Sequence, residues 1–136
     1  MAGNDTAKLE ANKALVRRVY RDWWNAHGNA ASVDEMVKPD FIGHLDNGKI
    51  RTIDTLRQDI AVFQSALGGL REDVDDLIAE GDRVAVRYTL HATHTGDFYG
   101  VKATGKTIKI SGIEIFRIED GKIAEFWHFG EPIRLD

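Results

Sequence analysis

An α+β domain, with three N-terminal helices packed on a curved antiparallel sheet, is the fold class that this 136-residue sequence predicts. Three observations carry the expectation. Apolar residues recur at helical spacing through the first half of the chain. In the second half the period switches to two, the spacing of half-buried strands. Between the last two alternating runs stands Asp120-Gly121, a strong short-range hairpin signal.

The first helix is expected from Asp5 to about His27, because Leu9, Val16, Val19, Tyr20, Trp23 and Trp24 share one stripe and Gly28 is a stop. Trp23 and Trp24 read as core, with one ring available to line a pocket. Ser32-Val33-Asp34-Glu35 has the form of a capping box and opens a short second helix, with Val33, Met36 and Val37 on its apolar side. Pro39 is expected to end it. Phe41-Ile42-Gly43-His44-Leu45 follows as a short strand or extended link. The third helix runs from about Thr52 to Leu67, through Ile53, Leu56, Ile60, Phe63 and Leu67, and Gly68-Gly69 closes it.

Strands then take over. Glu72 to Ala79 is strand-length, with a turn at Glu80-Gly81-Asp82-Arg83. From Val84 to His94 the alternation is strict, with Val84, Val86, Tyr88, Leu90, Ala92 and His94 on one face. Thr95 to Thr104 is irregular. Lys106 to Ile118 and Lys122 to Phe129 form the closing hairpin.

With 43% hydrophobic and 29% charged residues, the chain has enough apolar side chains for a core and is neither disordered nor collagen-like. Its length suits one domain spanning residues 1–136. A net charge of −4 argues against a nucleic-acid module. The absence of cysteine excludes disulfides, thiolate metal sites and a cysteine nucleophile. The polar start Met1-Ala2-Gly3-Asn4-Asp5-Thr6 lacks the apolar core of a signal peptide. No run approaches the roughly 18 apolar residues of a transmembrane helix. A cytoplasmic protein with no membrane partner is expected.

P-loop, dinucleotide-fingerprint, H-E-x-x-H and G-x-S-x-G motifs are all missing. The chemistry must therefore come from side chains gathered by strand alternation. His94 shares the inward face with Tyr88. On the next strand Ile108, Ile110, Gly112, Glu114, Phe116 and Ile118 share the more apolar face, and Glu114 is its one carboxylate. On the last strand His128 follows Ala124 and Phe126 inward. Tyr88, His94, Glu114 and His128, with His44, form a candidate acid–base set in an apolar cavity. Structural readings stand beside each: a hydrogen-bonded strand-end residue for His94, an ion-pair partner for Glu114, a core histidine for His128. His27, beside Gly28, reads as a helix C-cap. No ligand pair at metal spacing supports a metal site. On the outward face Ile113, Ile115, Trp127 and Phe129 form an apolar patch suited to a homodimer.

Two segments carry a family resemblance. His94-Thr95-Gly96-Asp97-Phe98-Tyr99-Gly100-Val101-Lys102-Ala103-Thr104-Gly105-Lys106 resembles the H-x-G-x-F-x-G-x-x-x-T-G-K segment of SnoaL-like polyketide cyclases. The run from Ile115 to Trp127 resembles that family's I-F-R-x-x-D-G-K-I-x-E-x-W hairpin, and Pro39-Asp40-Phe41 followed by His44 is similar to its front half. The resemblance implies a nuclear transport factor 2-like cone, usually a homodimer. It also implies an intramolecular aldol ring closure of a polyketide-like or other apolar carbonyl compound, with no metal or cofactor. One base removes a proton beside a carbonyl, and an acid protonates the accepting carbonyl. The family's usual acid–base aspartate follows the final-strand Trp; His128 stands there in this sequence. On these grounds His128 is the lead acid/base, His94 the carbonyl-polarising group, and Glu114 an orienting group or second base. Tyr88, His44, Trp24, Phe116 and Phe126 would bind substrate. Isomerase or dehydratase chemistry and a non-catalytic binding module are the alternatives.

Overall fold

Helices α1 (Ala2–Asp22), α2 (Val33–Met36) and α3 (Ile53–Ala66) pack on a six-stranded sheet in this computed structural model, which describes residues 2–136, with side chains from Asp5 onward. Met1, part of the polar start, lies outside the described residues. The strands are β1 (Val37–His44), β2 (Ile50–Arg51), β3 (Leu67–Glu80), β4 (Arg83–His94), β5 (Thr107–Glu119) and β6 (Lys122–Gly130), in the sheet order β2-β1-β6-β5-β4-β3. No described helix is long and apolar enough to cross a membrane.

The sheet is mixed, which corrects the all-antiparallel expectation. β1 runs parallel to β6, with Gly43 opposite Phe126 and His44 opposite Trp127, while the other pairs are antiparallel. The long connection from β1 through α3 and β3–β5 to β6 leaves the direction of this pair free of any hairpin constraint.

Four helix boundaries also differ from expectation. α1 stops at Asp22, because the next residues pair with β3: Ala26 N–H donates to Leu70 O at 2.8 Å and Glu72 N–H to Trp24 O at 3.1 Å. The Ser32 hydroxyl does not cap α2; it accepts from Trp23 Nε1 at 2.9 Å, while Asn29 caps the preceding 3-10 turn (Ala30–Ser32). Pro39 lies inside β1, where the pairing with β6 is irregular, a position that tolerates a missing N–H. α3 follows its sequence pattern closely, with Thr52 as N-cap in a reciprocal bond with Thr55. Gly68-Gly69 does not end it in a loop: β3 begins at Leu67, Gly68 pairs with Thr93, and the strand bulges between Gly68 and Arg71, with Gly69 at φ +65°.

The strand faces agree with the alternation. Val84, Val86, Tyr88, Leu90, Ala92 and His94 are buried, as are Ile108, Gly112, Glu114, Phe116 and Ile118. The stripe of α1 (Val16, Val19, Tyr20) and the following Trp23 and Trp24 cover this face. The β5–β6 turn has Asp120 at φ 52° and Gly121 at φ 76°, the left-handed pair of a tight hairpin.

Candidate active site

Glu114 sits on β5 between Gly112 and Phe116 and is only 6% exposed. A buried carboxylate needs partners, and each of its oxygens has one. The Tyr20 hydroxyl, carried in by α1, donates to Oε1 at 2.5 Å. His128 is its cross-strand neighbour on β6, with Nδ1 2.9 Å from Oε2. An ionised Glu114 holds the proton on Nδ1 and leaves Nε2 as the exchangeable nitrogen. That nitrogen looks toward Asp46, whose Oδ1 lies 3.6 Å away in a less buried position.

Burial opposes a charged imidazole at His128. The Glu114 hydrogen bond and the charges of Glu114 and Asp46 outweigh it, and the pKa lies above the usual histidine value. Burial, reinforced by the charge of Glu114, pushes the Tyr20 phenol well up, so it remains a donor. Tyr88 behaves likewise, from burial and then the charges of Glu114 and Glu72. Its ring lies 6.2 Å from His128, and its hydroxyl rests against paired Gly112 and Gly130. A Cβ on Gly112 would lie 2.6 Å from that oxygen, so a glycine is needed there. The Tyr88 hydroxyl has no hydrogen-bond partner among the described residues.

Trp24, Leu56, Phe116 and Phe126 enclose the cavity together with Arg51 and Glu114, around a void of about 10 Å³, room for one water. Ligands of larger size must displace side chains. Phe63 meets Trp24 at 5.0 Å and Phe98 at 5.3 Å, both edge to face.

Of the residues singled out by sequence, Glu114, Trp24, Phe116 and Phe126 line this cavity, and His128 and Tyr88 adjoin it, His128 through Glu114 and Tyr88 through His128. His94 and His44 do not. His94 is fully buried, but Thr104 N–H donates to its Nδ1 at 3.1 Å, which leaves Nε2–H to donate to Val101 O at 3.2 Å. Both nitrogens thus pin the 95–106 loop, the structural reading of that residue. His44 faces away because its neighbour Gly43 pairs with inward Phe126. Its Nε2 meets Glu125 Oε2 at 2.7 Å, and its ring stacks on Trp127. The three histidines and Glu114 therefore do not converge as one ligand set.

Sequence reasoning passed over Arg51, which lines this cavity, and Glu72, which feels the charges of Glu114 and Arg51. Glu72 pairs with inward Leu90, and its half-buried carboxylate has no hydrogen-bond partner among the described residues. Desolvation, then the charge of Glu114, holds its carboxyl well above the usual range. The alternation Leu70, Glu72, Val74 was its signal. Arg51, on the two-residue β2, had none.

A helix-covered mixed sheet with this interior is an α+β fold. More narrowly, residues 14–135 match the family model of the SnoaL-like polyketide cyclases, and the chain belongs to that family. No curated protein sequence matches the chain. Among solved structures it is similar to a candidate SnoaL-like polyketide cyclase from Jannaschia sp. CCS1, at 24% identity and TM-score 0.80, covering 90% of this chain and 86% of that one. It is similar to AclR, a candidate hydroxylase from Streptomyces galilaeus, at 28% identity and TM-score 0.79, covering 90% and 76%. A protein from Catenulispora acidiphila described as having a ketosteroid isomerase-like fold, at 11% identity and TM-score 0.68 over 85% of this chain and 83% of that one, shares the fold.

Proposed function

We propose that the chain is a cofactor-independent enzyme that closes a ring in an apolar, polyketide-like carbonyl compound by intramolecular aldol addition. The observation that carries this reading is the buried Tyr20–Glu114–His128 chain, which ends in an imidazole nitrogen, Nε2, that has no hydrogen bond among the described residues and faces Asp46 Oδ1 at 3.6 Å. Neutral His128 Nε2 takes the proton beside one carbonyl. The resulting carbanion adds to a second carbonyl carbon, and the imidazolium returns its proton to the new alkoxide. No electrons are gained or lost. Glu114 keeps the imidazole in one tautomer and supports its positive charge, while Tyr20 holds Glu114. The unpartnered Tyr88 hydroxyl is suited to hydrogen-bond the carbonyl oxygen.

Proton removal beside a carbonyl can be read without the natural substrate, as deuterium incorporation into 1-phenylbutane-1,3-dione in D2O followed by NMR. His128→Ala is expected to slow enzyme-dependent exchange by roughly 10²–10⁴-fold, and Glu114→Gln to slow it as well. Equal exchange in wild type and both variants would refute the assignment. The likeness to a candidate hydroxylase makes oxygen uptake a useful parallel measurement. We further propose a homodimer packed through Ile113, Ile115 and Phe129, which stand exposed on the opposite face of the sheet.

A further inference from the structure

Arg51 is the cation of the cavity, and its hydrogen-bonding capacity is only partly used. It enters on β2 opposite Gly43, and its side chain is 11% exposed. The guanidinium carbon lies 5.5 Å from the Trp24 ring and 5.4 Å from the Phe126 ring, so aromatic faces fix its plane. Nε donates to Asp59 Oδ2 at 2.9 Å, and the other Asp59 oxygen accepts from the Tyr99 hydroxyl. The terminal amines have no hydrogen-bond partner among the described residues.

Two carboxylates belong to the same interior: Glu114, whose oxygens are taken by Tyr20 and His128, and Glu72, which feels the charge of Arg51; neither forms an ion pair with it among the described residues. A planar cation held at one nitrogen presents a two-pronged donor that matches a carboxylate.

We propose that Arg51 recognises a carboxylate on the substrate, so that the compound turned over is an apolar carboxylic acid and not its neutral ester. This rests on the reading that the cavity is the substrate site. The acid group would lie at the Arg51 pole, and the reacting carbonyl at the Tyr88–His128 pole.

The test compares 2-naphthoate with methyl 2-naphthoate, by calorimetry and by the tryptophan indole N–H signals in ¹H–¹⁵N spectra. Wild type is expected to bind the acid about tenfold or more tighter than the ester, the scale of charge-assisted hydrogen bonds. The acid should also shift the Trp24 indole signal. Arg51→Gln should erase the preference while still binding the ester, which shows that the variant is folded. Arg51→Lys, which keeps the charge but loses the fork, should retain part of it. Equal binding of acid and ester by wild type overturns the proposal without recourse to any variant. So does an acid preference that survives in Arg51→Gln, or acid that fails to bind at millimolar concentration. Binding and proton exchange are read separately. Acid preference without exchange sinks the acid–base reading alone, and exchange without acid preference sinks this one alone.

Discussion

Tyr20 and Glu114 stand 94 positions apart in the chain, yet 2.5 Å separates the phenol oxygen from the carboxylate. The contact fastens α1 to the middle of the sheet. Tyr20→Phe keeps the ring against Tyr88 and Phe116 and removes only the donor. Leaving a buried acceptor short of a partner costs about 1–3 kcal/mol, more for a charged one. The urea midpoint should fall with little change in slope. An unchanged midpoint would mean that Glu114 finds another donor.

The raised pKa of His128 gives stability and activity opposite responses to pH. Its contribution to stability is fully present below the ordinary value of about 6.5 and is lost as pH rises through the higher folded value. Proton removal needs the neutral ring, so exchange should accelerate over the same interval. NMR titration of the imidazole should show the elevated pKa in wild type and a lower one in Glu114→Gln. Identical titrations would show that Glu114 does not set it.

Glu72 carries the reverse consequence. A carboxyl with a raised folded pKa binds its proton more tightly in the native state, so stability falls as pH climbs above the unfolded value of about 4.3. Glu72→Gln removes that loss. Its melting temperature should exceed that of wild type by a few degrees at neutral pH, and the gain should vanish in acid. A variant less stable than wild type at neutral pH would contradict this account.

For the dimer, Phe129 is the most telling position, at 68% exposure beside Ile113 at 51%. Light scattering of the wild type should give twice the chain mass at micromolar protein, and Phe129→Asp should halve it. A wild-type mass near that of one chain removes the proposal.

Much of this was legible in the sequence wherever one face of an element is buried and the other is wet. β4 and β5 obey period two along their lengths, which placed Tyr88, Glu114 and Phe116 correctly. Long-range pairing was not legible. The partner of β1 decides which way His44 points, and nothing local to residues 41–45 reports that Gly43 meets Phe126. Ser32 and the pair Gly68-Gly69 carried the right signals for a cap and a stop, but Trp23 claimed the hydroxyl and β4 claimed Gly68. His94 faces inward as alternation requires, yet its role was set by the loop that folds back onto both its nitrogens. Arg51 went unnoticed because a lone arginine on a two-residue strand has no periodic context.

The parallel joint between β1 and β6 has a bearing on how the chain acquires its shape. β6 leaves the ribosome after the other five strands, and it is the strand that closes β1 against the rest of the sheet. Until then β1 has only the short β2 at one side and an open edge at the other, an arrangement prone to pairing with a neighbouring chain. His128 arrives with that same strand, so Glu114 waits for its imidazole until the edge is sealed. Contacts of such high sequence separation slow the search for the native state. The Glu114–His128 contact and the protection of the vulnerable edge therefore both wait on β6, the last strand to be synthesised.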